Sequence, residues 1–200
     1  MWIAQKDKDV KYVFKICIVG AGGVGKTCLF NRFCFNSYNI NTEMTIGISF
    51  HSTYLKVKEI NEQEKDQEKL VCNSIFDMSG QERFRPLIQK FIEGSNGALL
   101  VFDPLSFSTF QQLDFWYDQI MENAIHKNIP IILVASKSDL LDKAPPGQIV
   151  SEELVEEFII NKNLQGYYKT SALENRNVLE VFKELTNLML KSSKYSAIVI

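Results

Sequence analysis

Residues Gly20 to Thr27 read GAGGVGKT, four glycines followed by a lysine and a hydroxyl. This is G-x-x-x-x-G-K-[ST] in full. Glycines let backbone N–H groups turn inward around phosphate oxygens, where a side chain would block them. Lys26 can reach terminal phosphates and the Thr27 hydroxyl can hold Mg²⁺. A helix opening at this point adds the positive end of its dipole. The competing reading is a glycine-rich turn with no ligand, which four glycines and Lys-Thr at this spacing, directly after a strand, disfavour. Taken alone, the loop leaves open a GTPase, an ATPase and a small-molecule kinase.

A second group lies in SIFDMSGQERF, Ser74 to Phe84. Asp77 ends an apolar run, and an acid there suits a second Mg²⁺ contact in a protein that has such a loop. Gly80 can bring its N–H close to a terminal phosphate. The amide of Gln81 both donates and accepts, as orienting an attacking water requires.

These groups need a scaffold. Runs of strand length recur: YVFKICIV, GISFHSTYLKV, KLVCNSIF, ALLVF, IILVA and GYYKT. The continuous apolar runs at Ala98 and Ile131 suit strands buried on both faces of a mainly parallel sheet. Between them, Phe110, Leu113, Tyr117, Ile120 and Met121 recur at helical steps and predict one apolar face. Ser151 before Glu152 and Glu153 predicts an N-cap with acids in the first turn. Asn177 with Glu180 predicts a capping box, opening a helix that turns Val178, Val181, Phe182, Leu185 and Met189 inward. The alternation predicts a doubly wound α/β domain, with ligands at the C-terminal ends of its strands.

The 200 residues suit one domain; 46% are apolar, 23% are charged, and the net charge is -2. These values are ordinary for a globular chain and give no basic footprint for nucleic acid. No apolar run reaches the length of a membrane span. The four cysteines, Cys17, Cys28, Cys34 and Cys72, have no metal-binding spacing and read as reduced thiols. The polar stretch Asn61 to Lys69 reads as a solvated loop between two strands.

Taken together, GAGGVGKT, TIG at Thr45, DMSGQERFR, SKSD at Ser136 and TSA at Thr170 resemble the Ras superfamily of small GTPases. TIGISF and GQERFR are most similar to its Rab branch. The resemblance runs from about Tyr12 to Lys191 and implies an α/β P-loop small G domain with a mostly parallel six-stranded sheet and helices on both faces. It implies a boundary scheme of an extension (1–11), the G domain (12–191) and a tail (192–200). It also implies a switch that binds GTP and GDP and hydrolyses GTP with Mg²⁺. Gln81, Lys26 and Thr45 would be catalytic, and Thr27, Thr45 and Asp77 would hold the metal. Nucleotide contacts carry over to Gly22, Gly23, Val24, Gly25, Lys26, Thr27, Cys28, Tyr38 (a ring against the base), Thr45, Gly80, Ser136, Lys137, Asp139, Ser171, Ala172 and Leu173. The segments around Thr45 and Gln81 would be two switches ordered by the γ-phosphate, with Arg83 and Phe84 on their surface. No arginine is placed as a finger, so slow hydrolysis is expected, accelerated by an arginine supplied in trans. The implied partners of this monomer are an exchange factor, an activating protein and effectors.

The chain departs from the family pattern in four places. DMSGQ replaces the commoner D-T-A-G-Q, and Met78 and Ser79 are expected to have little chemical consequence. TSAL replaces T-S-A-K, so Leu173 lacks a supporting lysine while the Ala172 N–H remains for the guanine carbonyl. Ser136 replaces an asparagine that ties neighbouring loops and touches the base; the shorter serine is expected to lose a hydrogen bond or route it through water, weakening binding about ten- to a hundredfold. Guanine choice then rests on Asp139, whose carboxylate accepts from N1–H and the exocyclic amine. Finally, the last cysteine is Cys72, so C-terminal prenylation is not expected and the expected location is cytoplasmic, with any membrane contact made through a partner. The alternative reading is a nucleotide-loaded scaffold with negligible turnover; a metabolite kinase is disfavoured because no arginine-rich lid segment is present.

Overall fold

The computed structural model describes residues 9–40, 43–60, 68–124, 128–145 and 147–200. Among these residues, seven strands form one sheet: β1 (Val10–Val19), β2 (Ile48–Glu59), β3 (Glu68–Met78), β4 (Gly97–Phe102), β5 (Ile131–Ala135), β6 (Gly166–Lys169) and β7 (Ala197–Val199). Their order is β6-β5-β4-β1-β3-β2-β7. The pairs β1–β3, β1–β4, β4–β5 and β5–β6 are parallel, while β2 runs antiparallel to both β3 and β7. The helices are α1 (Lys26–Phe35), α2 (Arg85–Ile92), α3 (Phe107–Gln111), α4 (Leu113–Asn123), α5 (Glu152–Lys162) and α6 (Val178–Ser192).

Alternation along the central strands builds two cores, because successive side chains point to opposite faces. Ile16 and Ile18 of β1, with Leu99, Val101, Ile132 and Val134, bury against Leu29 of α1 and Val181, Phe182 and Leu185 of α6. Cys17 and Val19, with Leu100, Phe102 and Leu133, bury against Ile88 of α2, Trp116 and Ile120 of α4, and Val155 of α5. Every residue of β4 and β5 is buried, as their unbroken apolar runs require.

Four local expectations change. The sheet has seven strands, not six: β7 lies in the segment set apart as a tail, and its register pairs Val57 with Val199 and Glu59 with Ala197. Ala197 and Val199 are buried, and Tyr195 packs on Tyr12 at 4.6 Å, so burial of apolar surface supplies the reason. Residues 10 and 11 of the supposed extension belong to β1, and Glu68 and Lys69 of the polar stretch belong to β3; residues 61–67 lie outside the described ones. The single apolar face after β4 is two helices, α3 and α4, meeting at Gln112. Asn177 does precede α6, but its side chain does not cap it: with φ of 56° it points back, and its Nδ2 donates to the Lys169 carbonyl at 2.8 Å. Ser151 caps α5 as expected, accepting from the Leu154 N–H.

β1 sits where the strand order reverses: the chain passes to β3 and β2 on one side and to β4, β5 and β6 on the other. The crevice at the C-terminal end of such a strand is where ligands bind in open α/β sheets. Val19 ends β1 there, and Gly20 begins the phosphate loop.

Candidate nucleotide site

The phosphate loop leaves the sheet through a position that only glycine can hold: Gly20 has φ of 145°, and a Cβ there would sit 2.1 Å from the Val101 carbonyl oxygen. It returns as α1 at Lys26, whose Nζ donates to the carbonyls of Gly20 (2.9 Å) and Ala21 (2.6 Å). Lys26 is buried, and burial pulls its ammonium down to about 8, the Asp77 carboxylate opposing that shift. A cavity of about 250 Å³ opens over the loop. Gly22, Gly23, Gly25, Lys26, Thr27 and Cys28 line its floor; Tyr38, Thr45, Gly80, Gln81 and Lys137, all drawn from other segments, also line it. Val24 is buried beneath.

Thr27, Thr45 and Asp77 meet at one point. The Thr27 hydroxyl donates to Asp77 Oδ2 at 2.6 Å, and it lies 2.5 Å from the Thr45 hydroxyl. Asp77 is fully buried, and its Oδ1 is among the buried polar atoms left without a hydrogen-bond partner. Burial pushes its carboxyl up to about 6, against the Thr27 hydrogen bond and the Lys26 charge. Two hydroxyls and a carboxylate with an unsatisfied oxygen form an all-oxygen donor set, the chemistry that Mg²⁺ prefers with phosphate oxygens completing its shell. The residues fit the ion. No cluster of three His, Cys, Asp or Glu occurs among the described residues, so this set depends on its hydroxyls.

One consequence is a pH-dependent stability. Between an unfolded value of about 4 and a folded value of about 6, the folded chain holds more proton at Asp77 than the unfolded chain. Its contribution to stability therefore falls as pH rises through that window. Melting temperatures of wild type and Asp77→Asn, without added nucleotide, should diverge to the detriment of wild type between about pH 4 and 6, and run parallel above about pH 6.5.

The turn after β3 ties the segments around Thr45 and Gln81 together. Gly80 lies against the phosphate loop: a Cβ on it would sit 2.3 Å from the Ala21 carbonyl carbon and 2.4 Å from the Gly22 nitrogen. The Gln81 amide donates to the Thr45 carbonyl at 3.2 Å. Ser79, expected to have little chemical consequence, is buried; its hydroxyl donates to the same Thr45 carbonyl at 2.8 Å and accepts from the Gln81 N–H at 3.3 Å.

The loops expected to read the base are built differently from the expectation. Ser136 is 4% exposed at the end of β5, and its hydroxyl lies 2.5 Å from the Val24 carbonyl of the phosphate loop and 3.0 Å from the Phe102 carbonyl. The serine therefore makes the loop tie that was expected to be lost, directly and without water. Lys137 takes a left-handed conformation (φ 55°), and its Nζ pairs with Asp103 at 2.7 Å. Asp139 Oδ1 accepts from the Ser171 hydroxyl at 2.6 Å, and Ser171 is fully buried. Leu173 is exposed, but the loop does not lack support. Arg32 of α1 donates from Nε to the Ala172 carbonyl at 2.7 Å and from its guanidinium to the Leu173 carbonyl at 3.4 Å. Arg32 and Ser79 act across long sequence separations or through a single hydroxyl, so no local pattern marks them.

With this geometry in place, a family model described as Ras family matches residues 15–191. The chain belongs to the Ras family. It is 33% identical over 181 residues to Ras-related protein YPTC6 of Chlamydomonas reinhardtii, covering 90% of this chain and 77% of that protein. It is 31% identical over 192 residues to Ras-related protein rab-11.1 of Caenorhabditis elegans (95% and 83%) and 35% identical over 190 residues to Ras-related protein RABA1b of Arabidopsis thaliana (94% and 81%). These relatives put this small GTPase in the Rab branch. Within that family frame, one surface next to the switches stands out: Phe50 of β2 is 68% exposed and stacks on Phe76 at 5.6 Å, with Phe91 of α2 6.4 Å beyond.

Proposed function

We propose that this Rab-branch chain hydrolyses GTP to GDP and phosphate with Mg²⁺ and cycles between two switch states read by partner proteins. The observation that carries this reading is the convergence of Thr27, Thr45 and Asp77 beside Gln81, at the mouth of the phosphate loop. Mg²⁺ bound there would supply positive charge at the phosphate end of the nucleotide. Thr27 and Asp77 would hold it; Lys26, its charge already sequestered from water, would neutralise the terminal phosphates, and the glycine-rich backbone would fix their position. Thr45 connects the first switch segment to this centre, and Gln81 orients the attacking water through an amide that donates and accepts. Asp139, held by Ser171, selects guanine, and Tyr38 and Lys137 enclose the base.

An activating protein would bring an arginine to the phosphates and speed hydrolysis. The exposed face of Phe50, Phe76 and Phe91 would take effectors, and an exchange factor would act on the switch segments.

The test is phosphate release from protein loaded with Mg²⁺ and GTP. Gln81→Leu should slow it at least tenfold, because a misplaced water loses its alignment with the γ-phosphate, while GDP affinity stays the same. Equal rates for both proteins would refute the role of Gln81; no release from either would leave a nucleotide-loaded scaffold.

A further inference from the structure

We infer that Ser79 is a positioning residue that fastens the two switch segments to each other and biases this chain toward its GTP-bound arrangement. The inference rests on the switch reading above and deepens it. Ser79 follows the last ladder pair of β2 and β3, Ile48 with Met78. Its backbone N–H donates to the Gly47 carbonyl at 3.0 Å, extending that ladder by one step. Its hydroxyl then reaches two residues further back and donates to the Thr45 carbonyl at 2.8 Å. The same oxygen accepts from the Gln81 N–H at 3.3 Å. A hydroxyl has one proton to give and lone pairs to receive, and here both capacities are used, one on each segment.

The chemistry is specific to serine at this place. An alanine, the residue of the commoner D-T-A-G-Q, would keep the N–H bond to Gly47 and lose both hydroxyl bonds. The Thr45 carbonyl would then be held by the Gln81 amide alone, at 3.2 Å. That matters because Thr45 presents its own hydroxyl 2.5 Å from the Thr27 hydroxyl, at the metal-binding point. A group that holds the Thr45 backbone therefore holds the Thr45 hydroxyl where the ion and the γ-phosphate are engaged, and the Gln81 backbone beside it. GDP makes no γ-phosphate contact, so a fastening of this kind favours the triphosphate form, whose contacts require both segments to be in place.

The experiment compares wild type with Ser79→Ala, using the full chain and Mg²⁺. Dissociation constants for GDP and for a non-hydrolysable GTP analogue are measured by competition against a fluorescent GDP. The expected result is a weaker analogue affinity in Ser79→Ala by about three- to tenfold, the worth of one or two net hydrogen bonds, with GDP affinity changed less than twofold. Amide hydrogen exchange at residues 45–47 and 79–81 should also speed up in the analogue-bound variant. A merely structural role would lower both affinities together. An unchanged ratio of the two constants, with wild type binding both nucleotides, overturns the inference. Wild type that binds neither nucleotide overturns the switch reading, and this inference with it.

Discussion

Asp139→Ala should remove the chain's ability to tell guanine from adenine. In wild type, displacement of fluorescent GDP should favour GDP over ADP by up to about 10⁴-fold, the discrimination available when the wrong ligand leaves a buried acceptor unpaired. In the variant, the ratio should fall to within about tenfold, because phosphate and stacking contacts do not depend on the base and only the single hydrogen bond of the Ala172 N–H to the guanine carbonyl would still favour guanine. The reason lies in how the carboxylate is held. Ser171, fully buried, donates its hydroxyl to Asp139 Oδ1 at 2.6 Å, so the carboxylate is aimed before any base arrives. Ser171 is itself fixed by a pair of backbone bonds to Arg176, at 3.1 and 2.9 Å. Asp139 is only half-buried and lies at the start of a short 3₁₀ turn, so the variant should fold. Guanine preference that survives in Asp139→Ala would show that another group reads the base.

Gly80→Ala should damage the phosphate end of the site as severely as Asp139→Ala damages the base end. The added Cβ would meet the Ala21 carbonyl carbon at 2.3 Å, the Gly22 nitrogen at 2.4 Å and the Ala21 oxygen at 2.5 Å. All three are backbone atoms, so no side chain can rotate aside. Either the phosphate loop or the turn that carries Ser79 and Gln81 must move. Overpacking of a well-filled site costs about 3 kcal/mol at the upper end of its usual range, which corresponds to roughly a hundredfold in affinity. The loss should be greater for a GTP analogue than for GDP, because the turn serves the γ-phosphate. Titration of the variant with both ligands checks this; affinities within twofold of wild type would mean that the loop and the turn do not need this contact.

The parts of the site that could be read from the sequence are those whose chemistry is local. The phosphate loop was legible because its glycines, Lys26 and Thr27 are consecutive and follow a strand directly. β4 and β5 were legible because a strand covered on both faces must be apolar throughout. Thr27 and Asp77 were each read as metal contacts from their local chemistry, but Thr45 was implied only by family resemblance; spacing says nothing about contacts between residues 18 and 50 positions apart. β7 was missed because three apolar residues carry no periodicity, and the strand exists only through its partner β2. Arg32 was missed because its acceptors, the Ala172 and Leu173 carbonyls, are 140 and 141 residues away. Asn177 showed how a local pattern can mislead: the spacing of a capping box is present, but a left-handed backbone turns the side chain toward Lys169.

Ser136 and Ser79 are instructive as a pair. Each replaces a residue usual in the family, and the residue type alone suggested a loss at one and indifference at the other. Position decided both outcomes. At the buried end of β5, a serine is long enough to reach the Val24 carbonyl, so the tie survives. At the buried end of β3, a hydroxyl finds Thr45 and Gln81 on opposite sides and gains bonds that alanine cannot make.

Everything proposed for this chain depends on its binding guanine nucleotide in the cavity above Lys26. Calorimetric titration of nucleotide-stripped protein with GDP and with ADP, both with Mg²⁺, tests that claim most directly. The account predicts saturable one-to-one binding of GDP, at least about 10³-fold tighter than ADP. Equal affinity for the two, or no binding of GDP, would contradict it.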